Sequence, residues 1–129
     1  QRDGHEYTVR VVDSETDVWE RARRAGVTLR AIGQEPGWLL EIRDNRYVDL
    51  LLDYGDTQLT TPVASMEVDF VRGETTYRVM PPTSPLRLTV YAADGVCYDG
   101  MSGEGFAVRV VVDINDGERV YRGCGRWLN

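Results

Sequence analysis

Phe106-Ala107-Val108-Arg109-Val110-Val111-Val112-Asp113-Ile114-Asn115-Asp116-Gly117 is the stretch on which the reading of the fold turns. Phe106, Val108, Val110, Val112 and Ile114 recur every second residue, the period of a strand with one buried face. Asn115-Asp116-Gly117 supplies the residue types that tolerate the positive φ of a tight hairpin turn. Arg119 to Leu128 then returns antiparallel. That pairing carries Cys124 back to the end where the first strand began, and Cys97 enters at the same end.

The same period runs outward from this hairpin. Val27 to Ile32, Trp38 to Ile42 and Tyr47 to Leu52 read as strands, with a polar turn at Arg43-Asp44-Asn45. Met66 to Val71 and Thr75 to Met80 flank Arg72-Gly73-Glu74, and Leu86 to Ala92 alternates after the rigid Pro81-Pro82-Thr83-Ser84-Pro85 connector. One segment differs. Ser14 and Asp17 resemble a capping box, and Val18, Ala22 and Ala25 share a face with Trp19 beside them. Arg21, Arg23 and Arg24 fill the last turns before Gly26, so residues 14–25 read as a helix. Residues 1–6 read as a loose end. The expectation is one mainly β domain over residues 1–129. Residues 27–128 form a small antiparallel β-barrel of about eight strands, with a single N-terminal α-helix.

Composition narrows the function. The chain has 129 residues, 42% hydrophobic, with a formal net charge of −6. All its basic residues are arginine. An acidic surface argues against nucleic acid and anionic membranes as partners and favours a cationic one. No stretch approaches the ~18 apolar residues of a membrane span. His5 is the only histidine and lies in the loose end, so Ser-His-Asp, Cys-His and His-based zinc arrangements have no basis. No carboxylate stands in a recognisable acid/base context. Asp113-Ile114-Asn115-Asp116-Gly117 is one residue short of a calcium loop. The expectation is a non-enzymatic protein with no cofactor and no metal.

Cys97 and Cys124 are the only cysteines. In an exported chain two cysteines read as one disulfide, and in a cytosolic chain as free thiols. Oxidation would stiffen Cys97-Tyr98-Asp99-Gly100-Met101-Ser102-Gly103-Glu104-Gly105-Phe106 into a presented loop. Its candidate contacts are Asp99, Ser102, Gly103, Glu104 and Phe106, with glycines allowing close backbone approach and Ser102 donating a hydroxyl. Export would place a removed segment ahead of Gln1.

Two motifs carry a resemblance. Gly33-Gln34-Glu35-Pro36-Gly37-Trp38 resembles the G-x-E-P-x-W signature of a family of Gram-negative envelope lipoproteins. Cys97-x-Asp99-Gly100-Met101-Ser102 with Gly123-Cys124 resembles that family's C-x-D-G-M-S…G-C ending. The resemblance implies a periplasmic or outer-membrane-tethered protein, the tether being a lipid anchor on a removed N-terminal segment. On the residues themselves, Gly33, Glu35, Pro36 and Trp38 read either as part of a ligand mouth or as a tight bend or bulge feeding a strand with Trp38 in the core, and the bend is the favoured reading. Ser102-Gly103-Glu104-Gly105-Phe106 also resembles the S-G-x-x-Y loop of periplasmic and membrane-bound inhibitors of c-type lysozyme. Those proteins are small antiparallel barrels that insert this loop into the lysozyme cleft. Phe106 stands where that pattern has tyrosine, and the inhibitors' lysine-containing Y-x-x-x-T-K-G motif has no counterpart. The expected function is therefore exported binding without catalysis, with a cationic protein such as lysozyme as partner. The alternatives are a structural or stress-related envelope module and a small-molecule carrier.

Overall fold

The computed structural model describes residues 18–34, 37–81, 84–99 and 103–128. A helix, α1, occupies residues 18–24 of this range. It is followed by β1 (Val27–Gly33), β2 (Trp38–Arg43), β3 (Tyr47–Leu52), β4 (Thr57–Pro62) and β5 (Ser65–Asp69). Then come β6 (Glu74–Val79), β7 (Leu88–Tyr98), β8 (Gly105–Ile114) and β9 (Arg119–Trp127). The strands form one antiparallel sheet in the order β4-β3-β2-β1-β9-β8-β7-β6-β5, strongly curled into a half-barrel. The mainly β, antiparallel reading with one N-terminal helix holds. The capping box at Ser14 and the loose end at 1–6 lie outside the described residues.

Alternation explains the curl. Leu29 and Ala31 of β1, Leu40 and Ile42 of β2 and Val48 and Leu50 of β3 all face one interior. Tyr77 and Val79 of β6, Val90 of β7 and Val108, Val110 and Val112 of β8 meet them there. A flat sheet would leave this face in water, so the sheet wraps around it. The β2–β3 turn has Asp44 and Asn45 at φ 52° and 56°, closed by the Arg46 N–H on the Arg43 carbonyl at 2.8 Å. This primed geometry matches the twist of the flanking strands.

The sheet does not close. β4 and β5 are its two edges, although only Val63 and Ala64 separate them. The Val63 N–H bonds the Arg46 carbonyl (2.7 Å) and the Ala64 N–H bonds the Arg78 carbonyl (2.8 Å), so the chain crosses the gap at one end only. Every residue of β5 is exposed, so no apolar face draws it toward β4. Glu67 and Asp69 put charge on the open edge.

Tyr77 bridges the same end of the fold. It is fully buried and donates its hydroxyl to Asn45 Oδ1 at 2.8 Å. Burial pushes its phenol up to about 12. An unfolded tyrosine ionises near pH 10. The stabilisation from holding the proton is fully present below that value and is lost as pH rises through the folded value. Stability is expected to fall by roughly 2–3 kcal/mol across this alkaline window. Tyr77→Phe should flatten that part of a plot of urea midpoint against pH. An unchanged alkaline slope in the variant would assign the effect to another group.

Helix α1 ends at Gly26 (φ 89°), with the Ala25 N–H on the Arg21 carbonyl at 3.0 Å. Glu20 pairs with Arg23 and Arg24. The Trp19 ring contacts the guanidinium groups of both Arg30 and Arg126, 4.6 and 4.9 Å from its centre. Those arginines are direct partners across β1 and β9 and face away from the interior that Leu29 and Ala31 line. The helix therefore packs on the outside of the sheet, held by cation–π contacts and by Trp19 against Phe106.

Candidate functional site

The β7–β8 hairpin is stiffened along its length. The ladder runs through Cys97–Phe106 to Tyr98–Gly105, so the connection is 99–104, shorter than a loop starting at Cys97. The Asp99 N–H bonds the Glu104 carbonyl (2.9 Å), and the Gly103 N–H (φ 74°) bonds the Asp99 carbonyl (2.8 Å). Cys97 and Cys124 form the expected disulfide, with Cα atoms 5.6 Å apart. Below it, a bulge between Asp94 and Cys97 turns the strand at Gly95, whose φ of 150° suits glycine.

The five candidate contact residues take different places. Phe106 is 5% exposed and seated against Trp19, with the Arg126 guanidinium 4.6 Å from its ring centre, so it anchors the hairpin. Glu104 is exposed and accepts a hydrogen bond from Arg126 at 2.7 Å. Gly103 is exposed and Asp99 half-buried. Ser102 lies outside the described residues, as do Gly100 and Met101.

The two motifs meet in one packing unit. The Trp38 indole lies flush on Gly33, where a Cβ would fall 1.9 Å from Nε1. It also packs on Gly123, where a Cβ would sit 2.7 Å from Cζ2 and 2.1 Å from the Ile32 carbonyl oxygen. Its Nε1–H donates to the Arg122 carbonyl at 3.3 Å. Two glycines from distant motifs thus leave room for one tryptophan, which is buried as expected. Glu35 and Pro36 lie outside the described residues.

Beside this unit is a groove of about 450 Å³. β1 contributes Ile32 and Gly33, continuing into Gln34. Cys97, Tyr98 and Asp99 come from the end of β7, and Arg109, Val111 and Arg122 from the outer face of β8 and β9. Sequence reasoning passed over both arginines. The signal was their outward parity beside the cysteines, visible once the register of β8 on β9 is known. At the far end of β9, Arg119 and the Tyr121 hydroxyl both bond Asp53. The Arg119 hydrogen bond, then that of Tyr121, hold the Asp53 carboxyl below the usual range against the opposing effect of burial. This cluster ties the turn after β3 to β9 and was also not foreseen.

Among the described residues no group of three or more His, Cys, Asp or Glu is placed to hold a metal ion. The calcium-like Asp113–Gly117 segment uses its side chains to build the turn. Asp113 Oδ1 accepts the Gly117 N–H at 2.6 Å, and Asn115 bonds Arg87 and Glu118. No helix among the described residues is long and apolar enough to cross a membrane. Compared with protein-family models, curated proteins and solved structures, the chain matches none.

Proposed function

We propose that this chain is an exported, non-catalytic binding protein whose working end is the β7–β8 hairpin. The observation that carries the reading is the Cys97–Cys124 bridge, set beside a hairpin whose base is seated by Phe106 and whose Gly103–Gly105 end is exposed. A connection held from both sides loses little entropy when it docks, which favours binding. A disulfide in a small domain is compatible with an oxidising compartment, and the motif resemblance points to the Gram-negative envelope.

The partner that fits the Ser102–Phe106 resemblance is a c-type lysozyme. Such an enzyme is cationic, and the −6 charge would speed the encounter. Its catalysis needs two carboxyl groups, which a small hydroxyl donor such as Ser102 can block. Purified protein at micromolar excess is expected to slow lysozyme, and Ser102→Ala should weaken inhibition by roughly tenfold or more, about 1.4 kcal/mol. Full lysozyme activity across several c-type enzymes would remove lysozyme as the partner. Inhibition untouched by Ser102→Ala would remove the proposed contact.

A second reading, a structural envelope module, is favoured by the shortness of the hairpin connection. It expects no soluble target in a pull-down from envelope extract, with or without reductant. The carrier reading finds little room inside, where Leu29, Leu40, Val48, Tyr77 and Val90 are fully buried.

A further inference from the structure

The geometry points to the groove beside the disulfide as a binding site for a carboxylate monoanion carried on a ring, gripped by Arg109 and Arg122. Most arginines of the described surface are neutralised by a carboxylate: Arg30 by Glu41, Arg43 by Asp49, Arg78 by Glu67, Arg119 by Asp53 and Arg126 by Glu104. Arg46, Arg72, Arg109 and Arg122 make no ion pair among the described residues, although the chain has 21 acidic side chains to 15 basic ones, and of these four only Arg109 and Arg122 line one groove.

The register places the pair. Arg109 stands opposite Cys124, and Val111 opposite Arg122, so the arginines are diagonal neighbours on the outer face. Such positions lie about 7–8 Å apart, within reach of one ligand for side chains this long. Two like charges so placed repel unless an anion lies between them.

Both are held from behind. The Arg109 guanidinium rests on Gly95, where a Cβ would come within 3.0 Å of its Nη2. The main chain of Arg122 is fixed by the Trp38 indole. Between them the groove offers apolar surface, with Ile32, Val111 and the disulfide as floor and the exposed Tyr98 ring as wall. Its volume falls in the range of small-molecule sites. The arginine fork matches the plane of a carboxylate, and the ring would lie on the apolar floor. Asp99 on the rim reduces the formal charge of the three side chains to +1, which suits a monoanion.

Amide NMR titration of the oxidised protein tests this, with benzoate against its neutral isostere benzamide, and N-acetylmuramic acid against N-acetylglucosamine. At least one carboxylate is expected to shift the Tyr98, Val111 and Gly123 amides saturably, with a Kd of roughly 1 mM. Its neutral counterpart should leave them still. Tighter binding of the sugar acid assigns a sugar-borne carboxylate, and tighter benzoate binding a flat aromatic one. The Arg109→Gln/Arg122→Gln double variant should lose about tenfold or more in affinity. Arg87→Gln, on a surface away from the groove, should lose none. Three results would each overturn the assignment: no saturable shift from either carboxylate up to ~20 mM, equal shifts from the neutral isosteres, or unchanged affinity in a double variant that keeps its melting temperature.

Discussion

Trp38→Ala is expected to destabilise the protein by about 3–5 kcal/mol, the range for deleting a buried large aromatic. Trp38 is 5% exposed and, from the start of β2, joins β1 at Gly33 to the remote β9 at Gly123 and the Arg122 carbonyl. Its removal leaves a cavity bounded by main chain, which relaxes poorly. Trp38→Phe keeps most of the apolar contact but leaves the Arg122 carbonyl without the indole donor, a loss of roughly 1–2 kcal/mol. Gly123→Ala approaches the same unit from the other side. Its new Cβ would lie 2.1 Å from the Ile32 carbonyl oxygen, and a main-chain neighbour cannot swing away as a side chain can. The strands must part, at a cost of ~3 kcal/mol or more. Urea unfolding followed by circular dichroism measures all three. A Trp38→Ala midpoint near that of wild type would show that the two motifs are not joined through the indole. The ordering matters for the groove as well, because the Trp38 hydrogen bond fixes the strand that carries Arg122.

The buried half of this design was legible before any coordinates. Alternation through Val108–Ile114 and the Asn115-Asp116-Gly117 turn identified β8 and β9, because one buried face writes its period directly into the sequence; Phe106 continues the pattern but is buried against Trp19 rather than in that interior. β4 was missed. Thr57-Gln58-Leu59-Thr60-Thr61-Pro62 carries one large apolar side chain, and its buried Thr61 does not look like core. The open edge was equally hidden. Met66, Val68 and Phe70 alternate just as buried residues do, yet all three are exposed. What differs is whether a partner surface exists, and that is a property of the curl of the sheet. The β7 bulge at Gly95 was also not foreseen, so the ladder outran the expected loop. Among functional candidates, the cysteines and Phe106 stood out by type. Arg109 and Arg122 did not, since an outward arginine on a strand is ordinary and only the register brings these two together beside one groove. Glu104 finds Arg126 at a separation of 22 residues, which no local pattern announces.

Removing the disulfide by Cys97→Ser/Cys124→Ser should cost about 3.5 kcal/mol in the chain-entropy model. The closed loop spans 27 residues. For a chain of this length that corresponds to a fall in melting temperature of roughly 13 °C. A typical domain has only about 5–15 kcal/mol in hand, so the variant stays folded at room temperature but loses much of its margin. Placement decides where the loss is felt. The interior built on Leu29, Val48, Tyr77 and Val90 does not depend on the bridge. The segment from Gly95 to Phe106 does, because its strand is already interrupted by the bulge. Amide exchange in β7 beyond Asp94 and at the start of β8 should therefore accelerate more than exchange in β2 and β3. Binding at the hairpin and in the groove should weaken together, since Cys97 and Cys124 border both. Cys124 is 3% exposed, but Cys97 is half-buried and lines the groove, so a reductant has access to the bridge through Cys97 Sγ rather than Cys124. A protein as isolated that labels rapidly with maleimide at both cysteines, or a serine variant that melts with wild type, would mean that the bridge neither stiffens this end nor marks an oxidising compartment. The hairpin would then have no claim to be a preorganised binding element.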